Sequence, residues 1–162
     1  MKKLNHNIIL LLIGLTPLPV GILFVFLFSA TLSDTIFIVG TLLEILIYVL
    51  WYFIGKDVVL SGKNIKTSMM ILNAPAFVFL VSAFIHEMIF NSYEGIMGSL
   101  TQYFYSVNLY VSMRIFEFIQ QILGVFSESI ITGRLFYDYC ISFALLILFF
   151  ILGARAGKKD KY

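Results

Sequence analysis

His86 and Glu87 stand side by side near the end of an otherwise apolar stretch, Met69 to Phe90 (MMILNAPAFVFLVSAFIHEMIF). An adjacent histidine and glutamate could open a zinc-protease helix, but HExxH needs a second histidine, and Phe90 occupies that place. There is no G-x-S-x-G and no glycine-rich phosphate loop. The single cysteine, Cys140, excludes an intrachain disulfide and any Cys/His zinc spacing. This pattern points away from an enzyme: no catalytic residue, cofactor or metal site is expected. What remains for the pair is proton or ligand response, because histidine titrates near neutrality. Ionisable groups in so apolar a segment are costly and face protein or water rather than lipid.

Three more ionisable groups share this problem. Glu44 lies at the centre of another apolar run, and Arg134 and Asp138 sit one helical turn apart at the start of a third. At ~1.5 Å rise per residue, His86, Glu87, Arg134 and Asp138 reach a similar depth and could meet. Read structurally, the four form a salt-bridge network that pins helices. Read functionally, they form a proton- or ligand-responsive site. Glu44 falls deeper, level with Ser82 and Ser142. A lone carboxyl there is expected protonated and hydrogen-bonded, or lining a proton path in an oligomer.

The elements that must carry these groups are membrane spans. The chain of 162 residues is 60% hydrophobic and 12% charged, against about 25% charged for an ordinary soluble domain. A hydrocarbon core of ~30 Å takes ~20 apolar residues as helix. Four stretches qualify, at about 7–30, 35–55, 69–90 and 135–153, giving an all-α, single-domain, polytopic four-helix bundle. The amino end resembles a signal peptide, but its apolar run is long and holds Pro17 and Pro19, so a retained anchor is expected. The two prolines predict a packed kink in the first span or, alternatively, a hinge or ion-coordinating break. From 100 to 126, Tyr110, Arg114, Glu117, Gln121 and Gly124 recur at steps of three and four, with Glu128 beyond them, which is one polar stripe on a helix. That helix is either interfacial or a fifth span.

Charge decides between the two. With four spans, Lys2, Lys3, Lys56, Lys63, Lys66, Arg155, Lys158, Lys159 and Lys161 share one side, against Arg114 and Arg134 on the other. Lys and Arg accumulate on the cytoplasmic side, so both termini, a loop at 56–68 and a tail at 154–162 are expected there. The segment 91–134 then lies outside, with an amphipathic interfacial helix. Lys56, Lys63, Lys66, Arg155, Lys158, Lys159 and Lys161 become candidates for docking a cytosolic partner, beside attraction to the anionic lipid bilayer. No direct nucleic-acid contact is expected. Gly14, Gly21, Gly40, Ala74 and Ala76 permit close helix contacts, and a bundle this small hardly encloses a polar path alone, so a homo-oligomer is expected.

In length, span number and orientation the chain resembles small four-span inner-membrane components of bacterial conflict systems. One such group is the membrane component of the Kiwa anti-phage defence system, an oligomeric partner of a cytosolic effector. Another is the immunity proteins against pore-forming colicins. The likeness carries no individual residue across. It implies a bacterial inner-membrane subunit that senses or binds at the envelope and recruits a cytosolic partner, in antiviral defence. An oligomeric ion channel or small transporter, and a colicin-type immunity protein, are the alternatives.

Overall fold

The structure is a computed structural model and describes residues 5–28, 34–123 and 134–160. Lys2, Lys3, Gly124, Glu128 and Lys161 lie outside the described residues. Those described are mostly helical and hold no strand, with four stretches long and apolar enough to cross a membrane: His6–Phe28, Thr35–Leu60, Ile65–Ile89 and Leu135–Lys159.

The first stretch is two helices, α1 (His6–Gly14) and α2 (Pro17–Phe28). Pro17 opens α2, the position where its missing N–H is least costly. The carbonyl it strands is Ile13 O, which instead accepts from the Thr16 hydroxyl at 2.7 Å and the Thr16 amide at 3.0 Å. Pro19 strands Leu15 O, which takes the Leu18 amide at 3.0 Å. The break is thus satisfied internally, as a packed kink requires. Gly14 makes it pack: a Cβ there would fall on Leu72 O of the neighbouring helix.

The next two helices are longer than the apolar runs. Helix α3 covers Asp34–Leu60 and α4 covers Ile65–Phe84. The loop expected at 56–68 therefore shrinks to 61–64, turned by Gly62 at φ +67° and closed by Asn64, whose side chain caps Thr67 N at 3.1 Å. Likewise the tail expected from 154 is helix: α7 runs Arg134–Lys159. Helices need not stop where hydrocarbon stops: Lys, Arg and Ala are good helix formers, and Val58, Val59 and Ala154 are buried in these extensions.

Helices α3 and α7 make the closest pairing. Gly55 faces Phe150 O, Gly153 faces Tyr52 O and Gly157 faces Lys56 O, each too close for a Cβ. Gly153 and Gly157 form a small-xxx-small stripe used within the chain. Gly14, Gly21 and Gly40 are also spent on contacts inside this chain, against Leu72, Tyr103 and Tyr110.

The largest departure is the segment after Phe90. In place of one helix over 100–126 there are two, α5 (Ile96–Tyr105) and α6 (Tyr110–Leu123), joined by 106–109. Along α5, Thr101 bonds Ser82 at 2.8 Å and Tyr105 bonds Ala76 O at 2.9 Å, so α5 runs antiparallel to α4, back into the bundle. Helix α6 then returns along α3: its Val111 meets Glu44, and its Arg114 lies over the Phe37 ring at 4.7 Å. The segment is a helical hairpin inserted among the spans, not a single helix lying across them. Its tip is fully buried at Phe104, Tyr105, Val107 and Asn108, three of which bring apolar surface into the bundle.

Candidate functional site

Glu44 anchors the hairpin tip. It sits ten residues into α3, ~15 Å along the helix axis, and is fully buried. Its Oε1 accepts the Tyr48 hydroxyl, one turn further along, at 2.5 Å. Its Oε2 accepts the Val111 amide at 2.7 Å, with the Tyr110 and Ser112 amides alongside. These are the first amides of α6, the groups that have no partner within their own helix. A carboxyl at that point satisfies them and meets the positive end of the helix dipole. Tyr48 in turn stacks on Phe149 of α7 at 5.0 Å. Glu44 and Tyr48 together thus tie α3, α6 and α7.

Around this point the interior is polar. Ser112, Asn108, Asp138 and Ser142 are each fully buried. Ser112 bonds back to Leu109 O at 3.0 Å, and Asn108 Nδ2 reaches Phe104 O at 3.5 Å. Asn108 Oδ1 has no partner. Such an acceptor, shut away from water, costs about 1–3 kcal/mol.

A second carboxyl repeats the arrangement near the open end of the hairpin. Helix α4 finishes in a π-turn, Ile85–Ile89. The extra residue of a π-turn rotates the next residues about the helix axis, and Glu87 is turned inward and buried. Its Oε1 accepts the Leu135 amide in the first turn of α7 at 3.1 Å, and its Oε2 accepts the Tyr93 hydroxyl at 2.7 Å. The Tyr139 hydroxyl adjoins Tyr93, and the Tyr139 ring stacks on Tyr105 at 4.2 Å. Burial, then the bond to Glu87, raises the Tyr93 phenol above its ordinary value. Burial raises Tyr105 strongly, and burial followed by the Glu44 charge raises Tyr110.

His86 and Glu87 part company. The His86 Nδ1 lies 3.0 Å from Ser92 O. A carbonyl can only accept, so Nδ1 carries the proton. The imidazole stacks on Tyr93 at 5.9 Å. Asp138 is buried on α7, and the Arg134 side chain lies outside what the structure describes. Glu87 therefore does meet the start of α7, through a backbone amide. Among the described residues no group of three His, Cys, Asp or Glu converges as metal ligands would.

Of the basic candidates, Lys56 is paired: its Nζ lies 2.5 Å from Asp160 Oδ2, bracing the end of α7 on α3. Lys63, Lys66, Arg155, Lys158 and Lys159 are exposed. Sequence reasoning missed Tyr48, Tyr93, Asn108 and Ser112. Tyr48 had a signal, standing four residues from Glu44 on one helix face. Asn108 and Ser112 had none, because their burial depends on the hairpin.

No family model, no curated protein and no solved structure matches this chain.

Proposed function

We propose that the protein is a non-enzymatic subunit of a bacterial cytoplasmic membrane, with both termini in the cytoplasm. It senses or binds at the envelope through the α5–α6 hairpin and recruits a cytosolic partner at its basic end. The observation that carries this reading is the Glu44–Val111 bond. That carboxyl closes the amino end of α6, so a competing donor at Glu44 would act first on the α6 arm of the hairpin, while α5 stays bonded to α4 through Thr101 and Tyr105. The basic end supports the second half: α3, α4 and α7 project there as rigid helices around a short turn, with exposed Lys63, Arg155 and Lys159. Such a preformed face suits an acidic partner. In a defence system of the kind the architecture resembles, that partner would be an effector and the membrane core a homo-oligomer.

The test is purification of the full chain from its native host in mild detergent, with sizing and mass spectrometry. A stoichiometric cytosolic partner, lost when Lys63, Arg155 and Lys159 are changed to Gln, is expected. Recruitment unchanged by those substitutions would overturn the reading.

The same carboxyl favours a second reading, an oligomeric proton or cation pathway. A carboxyl buried among membrane helices is the kind of group that proton relays use. In liposomes a pH or cation gradient should then dissipate, and Glu44→Gln should abolish the flux. No flux under either gradient counts against it.

A further inference from the structure

We infer that the face between α4 and α7 is a binding site for one anionic phospholipid, with an acyl chain in the groove and the phosphate held by Lys66 and Lys158. This goes beyond the partner reading and uses cations that reading does not need. A groove of about 370 Å³ runs between the two helices, with Met70, Asn73 and Phe77 on one wall and Phe143 and Ile147 on the other. Its wall is apolar because the polar atoms of Asn73 are already used. Asn73 Oδ1 accepts Trp51 Nε1 at 3.0 Å, and its Nδ2 donates to Met69 O at 2.9 Å. Phe77 and Phe143 approach to 6.1 Å between ring centroids and narrow the end away from the basic side. Both walls belong to helices long and apolar enough to span a membrane, so the groove opens toward hydrocarbon, where an acyl chain is the available apolar occupant.

Charge supplies the headgroup half. Helical register puts Lys66 four residues before Met70, one turn nearer the basic end on the same face. On α7, Lys158 follows Ile147 by eleven residues, three turns along its face. Both lysines are exposed. Lys56, by contrast, is bound to Asp160, and Arg155 and Lys159 lie on other faces of α7. Lys66 and Lys158 thus lie one and three turns past the residues that line the groove, toward its basic end, and a phosphate diester bracketed between them completes the site. Basic pockets between spans recognise acidic headgroups in this way.

The experiment is native mass spectrometry of the full chain in detergent doped with phosphatidylglycerol or phosphatidylcholine of the same acyl chains. A one-to-one adduct favouring phosphatidylglycerol roughly tenfold or more is expected, from two cations near a headgroup. In Lys66→Gln/Lys158→Gln the preference should vanish while the weaker, chain-only adduct persists. Ala74→Phe, which fills the groove, should remove both adducts. Circular dichroism and sizing check that each variant folds, and the single Lys66→Gln serves if the double does not. Equal adducts for the two lipids in the native chain overturn the proposal. So does an unchanged preference in the lysine variant, or displacement of the lipid by inorganic phosphate alone. Disulfide-linked dimers of Met70→Cys in a Cys140→Ser background, formed in lipid vesicles, would show that a second copy fills the groove and would equally overturn it.

Discussion

Glu44 Oε2 lies 2.7 Å from the Val111 amide, across 67 positions of sequence. A carboxyl from the side of one span closes the amino end of a helix that starts inside the bundle. Without it, the first amides of α6 would be buried and unsatisfied.

Replacing Glu44 should loosen the hairpin before it loosens the spans. Glu44→Ala leaves the Val111 amide and the Tyr48 hydroxyl without their acceptor, at about 1–3 kcal/mol for each buried group left unpaired. Hydrogen exchange in detergent should rise over 105–113 and stay low along the α3–α7 contact at 150–157. Uniform exchange across both regions would mean that Glu44 is not a local latch.

Glu87 and Tyr93 should couple. Glu87→Gln, Tyr93→Phe and the double variant form a cycle, with an interaction of about 1 kcal/mol expected for a partly buried hydrogen bond. Additive changes in thermal midpoint would mean that the 2.7 Å contact contributes nothing to stability.

The α3–α7 pairing should not tolerate a single methyl at Gly153. A Cβ there would fall on Tyr52 O, whereas at Gly157 the nearest atom, Lys56 O, is 2.7 Å away. Gly153→Ala should cost about 1–3 kcal/mol by forcing the helices apart, and Gly157→Ala less. The order of the two midpoints is the measurement, and a reversed order would show that the register of α7 on α3 is wrong.

Alkaline pH should open the hairpin. Tyr93, Tyr105 and Tyr110 are all raised above 10.0, chiefly by burial. The fold therefore holds their protonated forms. Unfolded tyrosines release protons near pH ~10 while the folded ones keep theirs. The stability they contribute is full below that pH and is lost as the pH climbs toward the folded values. Absorbance of phenolate should show a late group of tyrosines, part of which Glu87→Gln shifts to lower pH, because Tyr93 then faces a neutral amide while its burial remains.

Only part of this was legible in the residues. The spans were, because a bilayer imposes one requirement, length of apolar helix, that composition alone reports. Their ends were not: α3 runs on to Leu60 and α7 to Lys159, since helix propensity ignores the hydrocarbon boundary. Glu44 and Glu87 were conspicuous as charges in apolar runs. Their partners were invisible, because each is a backbone amide, Val111 and Leu135, and every residue but proline has one.

Periodicity in α6 was real, but it could not say where that helix begins or what it lies against. The sequence by itself determined a four-span, all-helical membrane protein with buried carboxyls needing partners, because hydrophobic length and unpaired charge are local properties. Only the tertiary structure decided that the segment after Phe90 folds back between the spans. That choice rests on Tyr105, Asn108 and Val111 finding Ala76, a buried tip and Glu44, and such matches between distant parts of the chain exist only once the helices have packed.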